Sequence, residues 1–172
     1  MTADNPTGEL AVATIDFDAF YAAHRSPVGR ALALTLRDAE LASEAVDEAM
    51  ARAYQRWTKV SRFDNPGGWV YRVGLNWARS FVRQRNRPTP TWLTDQAVSH
   101  DNYGIDPTVD RALGQLSVDH RAVVVCRYLI GYSESQTCAA LGLRPGTAKS
   151  RLARATAQLQ SLLAPFTQED VS

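Results

Sequence analysis

The sequence is poor in the residues that support metal binding and redox chemistry. Its 172 residues include only two cysteines and three histidines. Cys126 and Cys138 lie among Ala, Val and Leu residues, which favours buried thiols over a disulfide or a metal pair. His24, His100 and His120 are not at ligand spacing. The composition therefore predicts no metal, no cofactor and no catalytic constellation, so we expect that the protein is not an enzyme.

Long apolar runs are also absent. None approaches the roughly 18 residues that a bilayer-spanning helix requires. The N-terminal segment MTADNPTGEL has neither a basic region nor an apolar core, so it does not resemble a signal peptide. Hydrophobic residues make up 45% and charged residues 22% of the chain, a composition typical of soluble globular proteins. We therefore expect a cytoplasmic protein without membrane insertion.

No stretch alternates as a β-strand, whereas apolar residues recur at three- and four-residue steps. This periodicity predicts an all-α fold of two small helical domains joined by a flexible linker. The predicted boundaries are a disordered tail at 1–13, a first domain at 14–87, a linker at 88–109 and a helix-turn-helix domain at 110–164. Three prolines and many small polar residues in RPTPTWLTDQAVSHDNYGIDPTV carry the linker prediction.

Capping residues predict where the helices of the first domain begin. Ser26 followed by Pro27 indicates a helix start, and that helix should reach Leu36. Asp38 should cap the next helix, which should run to about Trp57.

Turn and capping residues also mark the predicted helix boundaries further along the chain. The turn cluster at 65–68 should separate the second of these helices from another at about 69–85. In the second domain, Ser117 should cap a helix that ends near Gly131.

The segment LGLRPGTAKSRLARA, residues 141–155, has the pattern of a helix-turn-helix. Ser133 with Gln136 three residues later is a capping box, which predicts a short helix. Gly142 should end that helix. A longer helix should begin at Pro145 and run to about Leu163.

This longer helix carries basic residues and no acidic residue between 144 and 154. Its predicted core face consists of Ala148, Leu152, Ala155, Leu159 and Leu162. Ser150 and Arg154 point away from that face, with Lys149 and Arg151 on its flanks. An arginine can pair with a guanine edge in the major groove while neighbouring lysine and arginine side chains contact phosphates. A solvated basic face is the alternative interpretation.

A second basic block, residues 62–87, contains six arginines and one acid. Aromatic residues alternate with these arginines, a combination that suits the unstacked bases of single-stranded nucleic acid. Alternatively, most of the rings belong to the core. The four-residue spacing of Trp69, Val73 and Trp77 leads us to expect that two of the three are buried.

An acidic block precedes both basic blocks, with five acids and no base between 38 and 48. Glu40, Glu44, Asp47 and Glu48 lie at helical neighbour spacings, where like charges repel mildly. This stripe indicates either a docking face for a basic partner or an ordinary solvated helix face.

Taken together, these segments resemble a known family. FDAFYAAHRSP, ASEAVDEAMARAYQRW and NPGGWVYRVGLNWARSFVRQR are similar to region 2 of bacterial sigma factors. DRALGQLSVDHRAVVVCRYLIGYSESQTCAALGLRPGTAKSRLARA is similar to region 4. The chain resembles the extracytoplasmic-function (ECF) sigma factors, which keep only these two domains, over about residues 15–163.

The resemblance implies a role for each of three residue sets. The set that contacts the polymerase clamp helices is Glu44, Asp47 and Glu48. The set that contacts the single-stranded −10 element is Arg62, Phe63, Asp64, Asn65, Arg72, Asn76 and Arg79. The set that reads the duplex −35 element is Thr147, Lys149, Ser150, Arg151 and Arg154. The implied partners are core RNA polymerase, through its clamp helices and flap, and promoter DNA, with an anti-sigma factor as a further candidate.

The function predicted from the sequence is therefore an alternative sigma factor that directs polymerase to a subset of promoters. A stand-alone helix-turn-helix regulator is the first rival, but it would gain nothing from the acidic stripe. A nuclease that uses those carboxylates is the second rival, and it lacks a matching metal or nucleophile constellation.

Overall fold

The computed structural model describes residues 16–85 and 104–167, and the helices in these ranges form two groups. The first group is α1 (Phe17–Leu36), α2 (Ala39–Gln55), α3 (Trp57–Val60) and α4 (Pro66–Arg85). The second group is α5 (Pro107–Gly114), α6 (Val118–Val124) with a π-helical turn (Val125–Leu129), α7 (Glu134–Leu141) and α8 (Pro145–Thr167). The described residues contain no strand, so the all-α prediction is confirmed. The predicted tail at 1–13 and most of the linker fall outside these ranges.

Three predicted N-caps are present in the structure. The side chains of Asp38, Ser117 and Ser133 each accept a hydrogen bond from the backbone N–H three residues on, at 2.9, 3.2 and 3.1 Å. Gln136 completes the capping box because its Oε1 accepts from the backbone N–H of Ser133 at 2.9 Å. These bonds satisfy N–H groups that the first turn of a helix leaves without partners.

The predicted helix start at Ser26 is wrong, because α1 is continuous and Pro27 lies inside it. Proline removes one hydrogen bond to the carbonyl four residues earlier, that of Ala23. Ala23, Ser26 and Pro27 are all exposed, so water can reach the freed carbonyl. Packing of Phe20 into the core on one side of the proline and of Leu32 on the other holds the helix together.

Three other predicted boundaries also shift. The segment at 65–68 is the start of α4, whose first residue is Pro66. Helix α5 begins at Pro107, inside the predicted linker, and the side chain of Asp106 caps it. Helix α8 continues through Pro165, beyond the predicted end near Leu163.

The face of α4 that is buried differs from the prediction. Trp69, Val73 and Trp77 are each only partly buried, whereas Val70, Tyr71, Leu75 and Ala78 form the buried face. The reason is Gly74, where α4 crosses the first two helices. A Cβ at this position would lie 2.8 Å from Leu32 Cδ1 and 3.1 Å from the carbonyl oxygen of Ala45. The close approach fixes which side of α4 faces inward.

The two groups of helices share one hydrophobic core. Its buried residues include Leu32, Met50 and Tyr71 from the first group, together with Val125 and Cys126 from the second. A smaller cluster around Leu113, Leu116, Val124 and Ala155 lies within the second group. Both cysteines are buried free thiols, as predicted.

Candidate functional site

Helix α8 presents the residues of the predicted −35 set on an exposed surface. Gly142 ends α7 with a left-handed backbone (φ 63°), which allows the chain to turn into α8. The inward side of α8 is anchored by Ala148 and Ala155, which are 3% and 0% exposed. The predicted core face of this helix is therefore confirmed at its two alanines.

Four members of the −35 set, Thr147, Lys149, Ser150 and Arg154, are exposed. The Ser150 hydroxyl donates to the backbone carbonyl of Thr147 at 3.1 Å. Arg151 differs from the others because it is only partly exposed and its guanidinium lies 3.5 Å from the Asp119 carboxylate. The face that carries Arg154 is thus open to a ligand, whereas Arg151 already has an anionic neighbour.

The loop of the predicted −10 set is ordered by the start of α4. Asn65 Oδ1 accepts a hydrogen bond from the backbone N–H of Gly68 at 2.8 Å. A Cβ at Gly68 would lie 2.6 Å from Asn65 Nδ2, and one at Gly67 would lie 2.8 Å from His24 Cδ2. The two glycines therefore let the loop pack closely against its own cap and against α1.

This loop forms one wall of a cleft of about 510 Å³. The wall from the first group of helices comprises Arg62, Phe63, Asp64, Asn65, Gly68, Trp69 and Arg72. The opposite wall comprises Ser135, Gln136, Ala139 and Ala140 of α7. The structure thus brings the −10 loop together with Arg72, but it places the first helix of the helix-turn-helix directly across from them.

The rest of the −10 set follows the exposed side of α4. Asn76 is exposed. Arg72 Nη1 donates to the backbone carbonyl of Ala139 at 3.5 Å, and Arg79 Nη2 donates to Asp119 Oδ1 at 2.5 Å. Two of the three α4 residues in this set are therefore engaged by the second group of helices.

The acidic stripe on α2 is partly neutralised within its own domain. Asp47 accepts two hydrogen bonds from Arg25 of α1, at 3.0 and 3.1 Å. Glu48 accepts one from Arg52 at 2.8 Å. Glu44 is exposed and forms no ion pair within the described residues.

Sequence reasoning missed an ionic cluster between the two groups of helices. Arg37 donates to both carboxylate oxygens of Asp110, at 2.9 and 3.0 Å, and to the Asp110 backbone carbonyl at 2.7 Å. Arg121 lies near this pair and is 8% exposed. Burial, and then the charge of Arg37, lower the pKa of Arg121, whereas the charge of Asp110 opposes that shift. No local pattern signals this cluster, because its members are far apart in the sequence.

A buried polar chain in the first group also reaches the second, because the side chains of Tyr71 and Cys126 are hydrogen-bonded. Tyr71 OH lies 2.7 Å from Thr35 Oγ1, which donates to the backbone carbonyl of Ala31 at 2.8 Å. Burial raises the pKa of Tyr71 above its usual range and raises the pKa of the Cys126 thiol to about 12. Both groups stay protonated near neutral pH, so this chain is a structural element of the shared core.

Two features are absent from the described ranges. Within residues 16–85 and 104–167, no cluster of three His, Cys, Asp or Glu side chains could hold a metal ion. No helix in these ranges is long and apolar enough to cross a bilayer.

Comparisons with known proteins agree with the geometry. The family model of sigma-70 region 4 matches residues 108–159. The chain is 34% identical over 151 residues to the ECF RNA polymerase sigma factor SigM of Mycobacterium tuberculosis, a match that covers 86% of this chain and 76% of that protein. It is 32% identical over 155 residues to SigL of the same species, covering 84% and 87% of the two chains.

A solved structure shares the fold. The sigma factor RpoE from Bartonella quintana, in complex with the anti-sigma factor NepR, superposes with a TM-score of 0.70 at 22% identity. The match covers 87% of this chain and 97% of that chain. CnrH, in complex with the cytosolic domain of CnrY, superposes with a TM-score of 0.59 at 23% identity.

The fold and the basic surfaces define a helical DNA-binding protein with a helix-turn-helix module. The matches to SigM and SigL extend over both groups of helices, so the chain belongs to the ECF family of RNA polymerase sigma factors. It is an alternative sigma factor, and sigma factors are transcription initiation factors. A stand-alone regulator does not account for a similarity that includes the first group of helices.

Proposed function

We propose that this chain directs core RNA polymerase to a subset of promoters through three separate surfaces, and that it does so in the cytoplasm without catalysing a reaction. Residues 14–87 act as region 2, and residues 110–164 act as region 4. The observation that carries this proposal is the two-sided character of α8. One side is fixed in the core by Ala148 and Ala155, and the other exposes Lys149 and Arg154.

The −35 surface consists of Thr147, Lys149, Ser150, Arg151 and Arg154. Arg154 is suited to base reading because it lies opposite the anchored side of the helix and is exposed. Lys149 lies on the flank, where a charged side chain contacts phosphates.

The −10 surface consists of Arg62, Phe63, Asp64, Asn65, Arg72, Asn76 and Arg79. Its support is the cleft beside the loop, where the Phe63 and Trp69 rings lie with centroids 6.3 Å apart beside Arg72. Aromatic faces next to guanidinium groups bind unstacked bases. This surface would stabilise the opened strand of the promoter.

The polymerase surface consists of Glu44, Asp47 and Glu48, for contact with the clamp helices, while region 4 contacts the flap. These acids lie on one side of α2, away from the buried Ala45, Ala49 and Ala53. RpoE was solved with an anti-sigma factor, and we propose a protein of that class as a further partner here.

Transcription in vitro tests this function. Core polymerase is incubated with a library of genomic fragments, with and without the chain, and the 5′ ends of the transcripts are sequenced. We expect new start sites that share two sequence elements, one near −10 and one near −35. The absence of any start site that depends on the chain would contradict the proposal.

A further inference from the structure

A second cleft, of about 710 Å³, lies where the C-terminal half of α4 meets the first residues of α6. We call it the α4–α6 cleft. Asn76 and Arg79 of the −10 set belong to its lining, but most of its lining residues have no place in the three surfaces of the proposed function. Its volume falls in the range of about 300–1,000 Å³ that is typical of small-molecule sites.

Half of the residues that line the α4–α6 cleft are apolar. These residues come from four helices and are Leu36, Leu41, Ala78, Val82 and Val118. Leu36, Leu41 and Val118 pack against the shared core but remain partly exposed. Val82 is 40% exposed, although it is a large apolar residue. An apolar ligand would remove this concave apolar surface from water, which is favourable.

Helix caps hold two of these apolar residues in place. The Asp38 side chain accepts a hydrogen bond from the backbone N–H of Leu41 at 2.9 Å, in the first turn of α2. Val118 is the first residue of α6 and directly follows the capping residue Ser117. This part of the lining is therefore preformed, so a ligand would not have to order it on binding.

The polar part of the lining carries an excess of positive charge. Arg79 donates to the Asp119 carboxylate at 2.5 Å, so these two charges offset each other. Arg83 is exposed and forms no ion pair with the described residues. Its Nη2 donates to the Ser80 hydroxyl at 3.2 Å. A guanidinium beside apolar surface suits a ligand that joins a carboxylate, sulfonate or phosphate group to an apolar body.

The neighbouring cleft, of about 450 Å³, has the opposite charge. It shares Leu41 and Val82 with the α4–α6 cleft. Its charged lining residues are three acids and one arginine, namely Asp38, Glu40, Glu44 and Arg85. An anionic group on that side of Leu41 and Val82 would be repelled by the carboxylates. The negative group of a ligand is therefore directed away from them, toward Arg83.

We propose that the α4–α6 cleft binds a small organic anion, with its acidic group at Arg83 and its apolar body against Leu36, Val82 and Val118. Two observations carry this inference together, the exposed apolar lining and the guanidinium that has no anionic partner among the described residues. The site goes beyond the proposed function, because none of the surfaces assigned to promoter or polymerase uses Arg83 or the apolar lining.

Two fluorescent probes that share one apolar body test the site. Anilinonaphthalene sulfonate carries an anionic sulfonate, and phenylnaphthylamine is the same aromatic body without it. Each probe is titrated into the full chain, and the rise in its emission gives an affinity and a stoichiometry. We expect saturable binding of the sulfonate probe at one site per chain. Emission that does not saturate would overturn the site.

Arg83→Gln tests the role of the charge. We expect it to weaken the sulfonate probe by roughly threefold to fivefold, the range of an exposed charge pair, and to leave the neutral probe unchanged. The matched control is Arg85→Gln, which removes an equal charge from the same end of α4 but lines the neighbouring cleft. Equal losses for the two variants would mean that only net charge matters and would refute the assignment of Arg83.

Val82→Asn tests the apolar lining. It should weaken both probes to a similar degree, because the aromatic body is common to them. Val82→Thr keeps the side-chain volume and covers the case in which Val82→Asn does not fold. The control is Tyr54→Ser, since Tyr54 is 67% exposed on another surface and is the alternative place for an aromatic probe. If Tyr54→Ser abolishes binding and the Val82 variants do not, the α4–α6 cleft is not the site.

These measurements use neither polymerase nor DNA, so their outcome is independent of the sigma-factor surfaces. Circular dichroism and urea denaturation of each variant show that the fold is kept. Probe binding that responds to Arg83→Gln and to a Val82 substitution, but to neither control, would establish the site even if no start site depends on the chain. Probe binding that responds to neither of them would overturn it even if transcription is directed as proposed.

Discussion

Arg151 and Arg154 lie close together on α8, but the structure gives them different surroundings. Arg154 is exposed, whereas Arg151 is partly buried beside Asp119. If Arg154 pairs with a base edge, Arg154→Ala should cost about 1–3 kcal/mol at one base-pair position and relax specificity there. The measurement is promoter binding by the polymerase complex across a set of −35 variants.

Two substitutions complete the Arg154 experiment. Lys149→Ala should weaken all −35 variants to a similar degree, since phosphate contacts carry no direct sequence information. Gln160→Ala, at an exposed position further along the same helix, is the control and should change little. A uniform loss for Arg154→Ala across all variants would remove it from base reading.

Arg121 allows a test of what the burial of its charge costs in the ionic cluster with Arg37 and Asp110. Arg121→Met keeps the long apolar stem but removes a buried guanidinium whose Nε and Nη1 lack hydrogen-bond partners among the described residues. We expect the free energy of unfolding to rise by about 1–2 kcal/mol in urea denaturation, because well-packed apolar groups often outperform buried charges.

The comparison for Arg121 is Arg127→Met in the π-helical turn. Arg127 donates a hydrogen bond to the backbone carbonyl of Tyr132, so its loss removes a bond that is made. We expect this variant to be destabilised. A destabilised Arg121→Met would show that its charge is compensated and that the interface carries no such penalty.

Residue-level prediction from the sequence succeeded where the interacting groups are neighbours. Asp38, Ser117 and Ser133 cap their helices because each partner N–H lies three residues away. The contacts of Arg37 and Asp119 could not be predicted in this way. Their partners Asp110 and Arg79 lie 73 and 40 residues away along the sequence, so only the packing of the two groups of helices brings the charges together.

At the scale of the helices, two glycines with opposite surroundings give a matched pair of substitutions. Gly74→Ala would place a Cβ 3.1 Å from the Ala45 carbonyl oxygen, where α4 crosses α2. Overpacking of this kind costs about 1–3 kcal/mol. Gly146→Ala, in the first turn of α8, would place a Cβ with no atom within 4 Å apart from its chain neighbours and its own helix backbone, and should stabilise by about 0.4–1 kcal/mol. Chemical denaturation of both variants provides the check, and a neutral Gly74→Ala would mean that the helices can separate at little cost.

The same crossing explains why the sequence predicted α4 only in part. Four-residue spacing identified a helix, but Trp69 and Trp77 are large enough to be mistaken for its core residues. The inward face is instead selected by the small Gly74 and Ala78, which let backbones approach closely. Likewise, Pro27 indicated a helix start, yet packing on both sides of it keeps α1 continuous. Local propensity is a weak prior when tertiary contacts decide.

At the scale of the whole molecule, the division into two helical units was visible in the sequence, but their shared core was not. The sequence predicts that the Cys126 thiol is buried, but not what buries it. In the structure Val125 and Cys126 share a core with Tyr71 of the first group of helices. Hydrophobic periodicity shows which side of a helix is buried, but it does not show which partner covers it.

The charge layout of the whole chain supports a final pair of experiments on the acidic face of α2. The triple amide Glu44→Gln, Asp47→Asn and Glu48→Gln removes the proposed polymerase contacts. Binding to core polymerase should fall by about tenfold or more, since exposed charge pairs contribute up to about 1 kcal/mol each and three are lost. Duplex binding by the free chain should stay level or rise slightly, because three negative charges are removed.

A complementary double variant keeps these acids and removes the arginines that pair with two of them. Arg25→Gln with Arg52→Gln frees Asp47 and Glu48 from their internal partners, which polymerase would otherwise have to displace. Exposed pairs contribute about 0–1 kcal/mol each, so polymerase affinity should rise by a few-fold at most. A docking face predicts opposite signs for the double and triple variants in the polymerase assay. If both variants bind core polymerase like the wild type, the acidic stripe is an ordinary solvated helix face, and the polymerase contacts lie elsewhere.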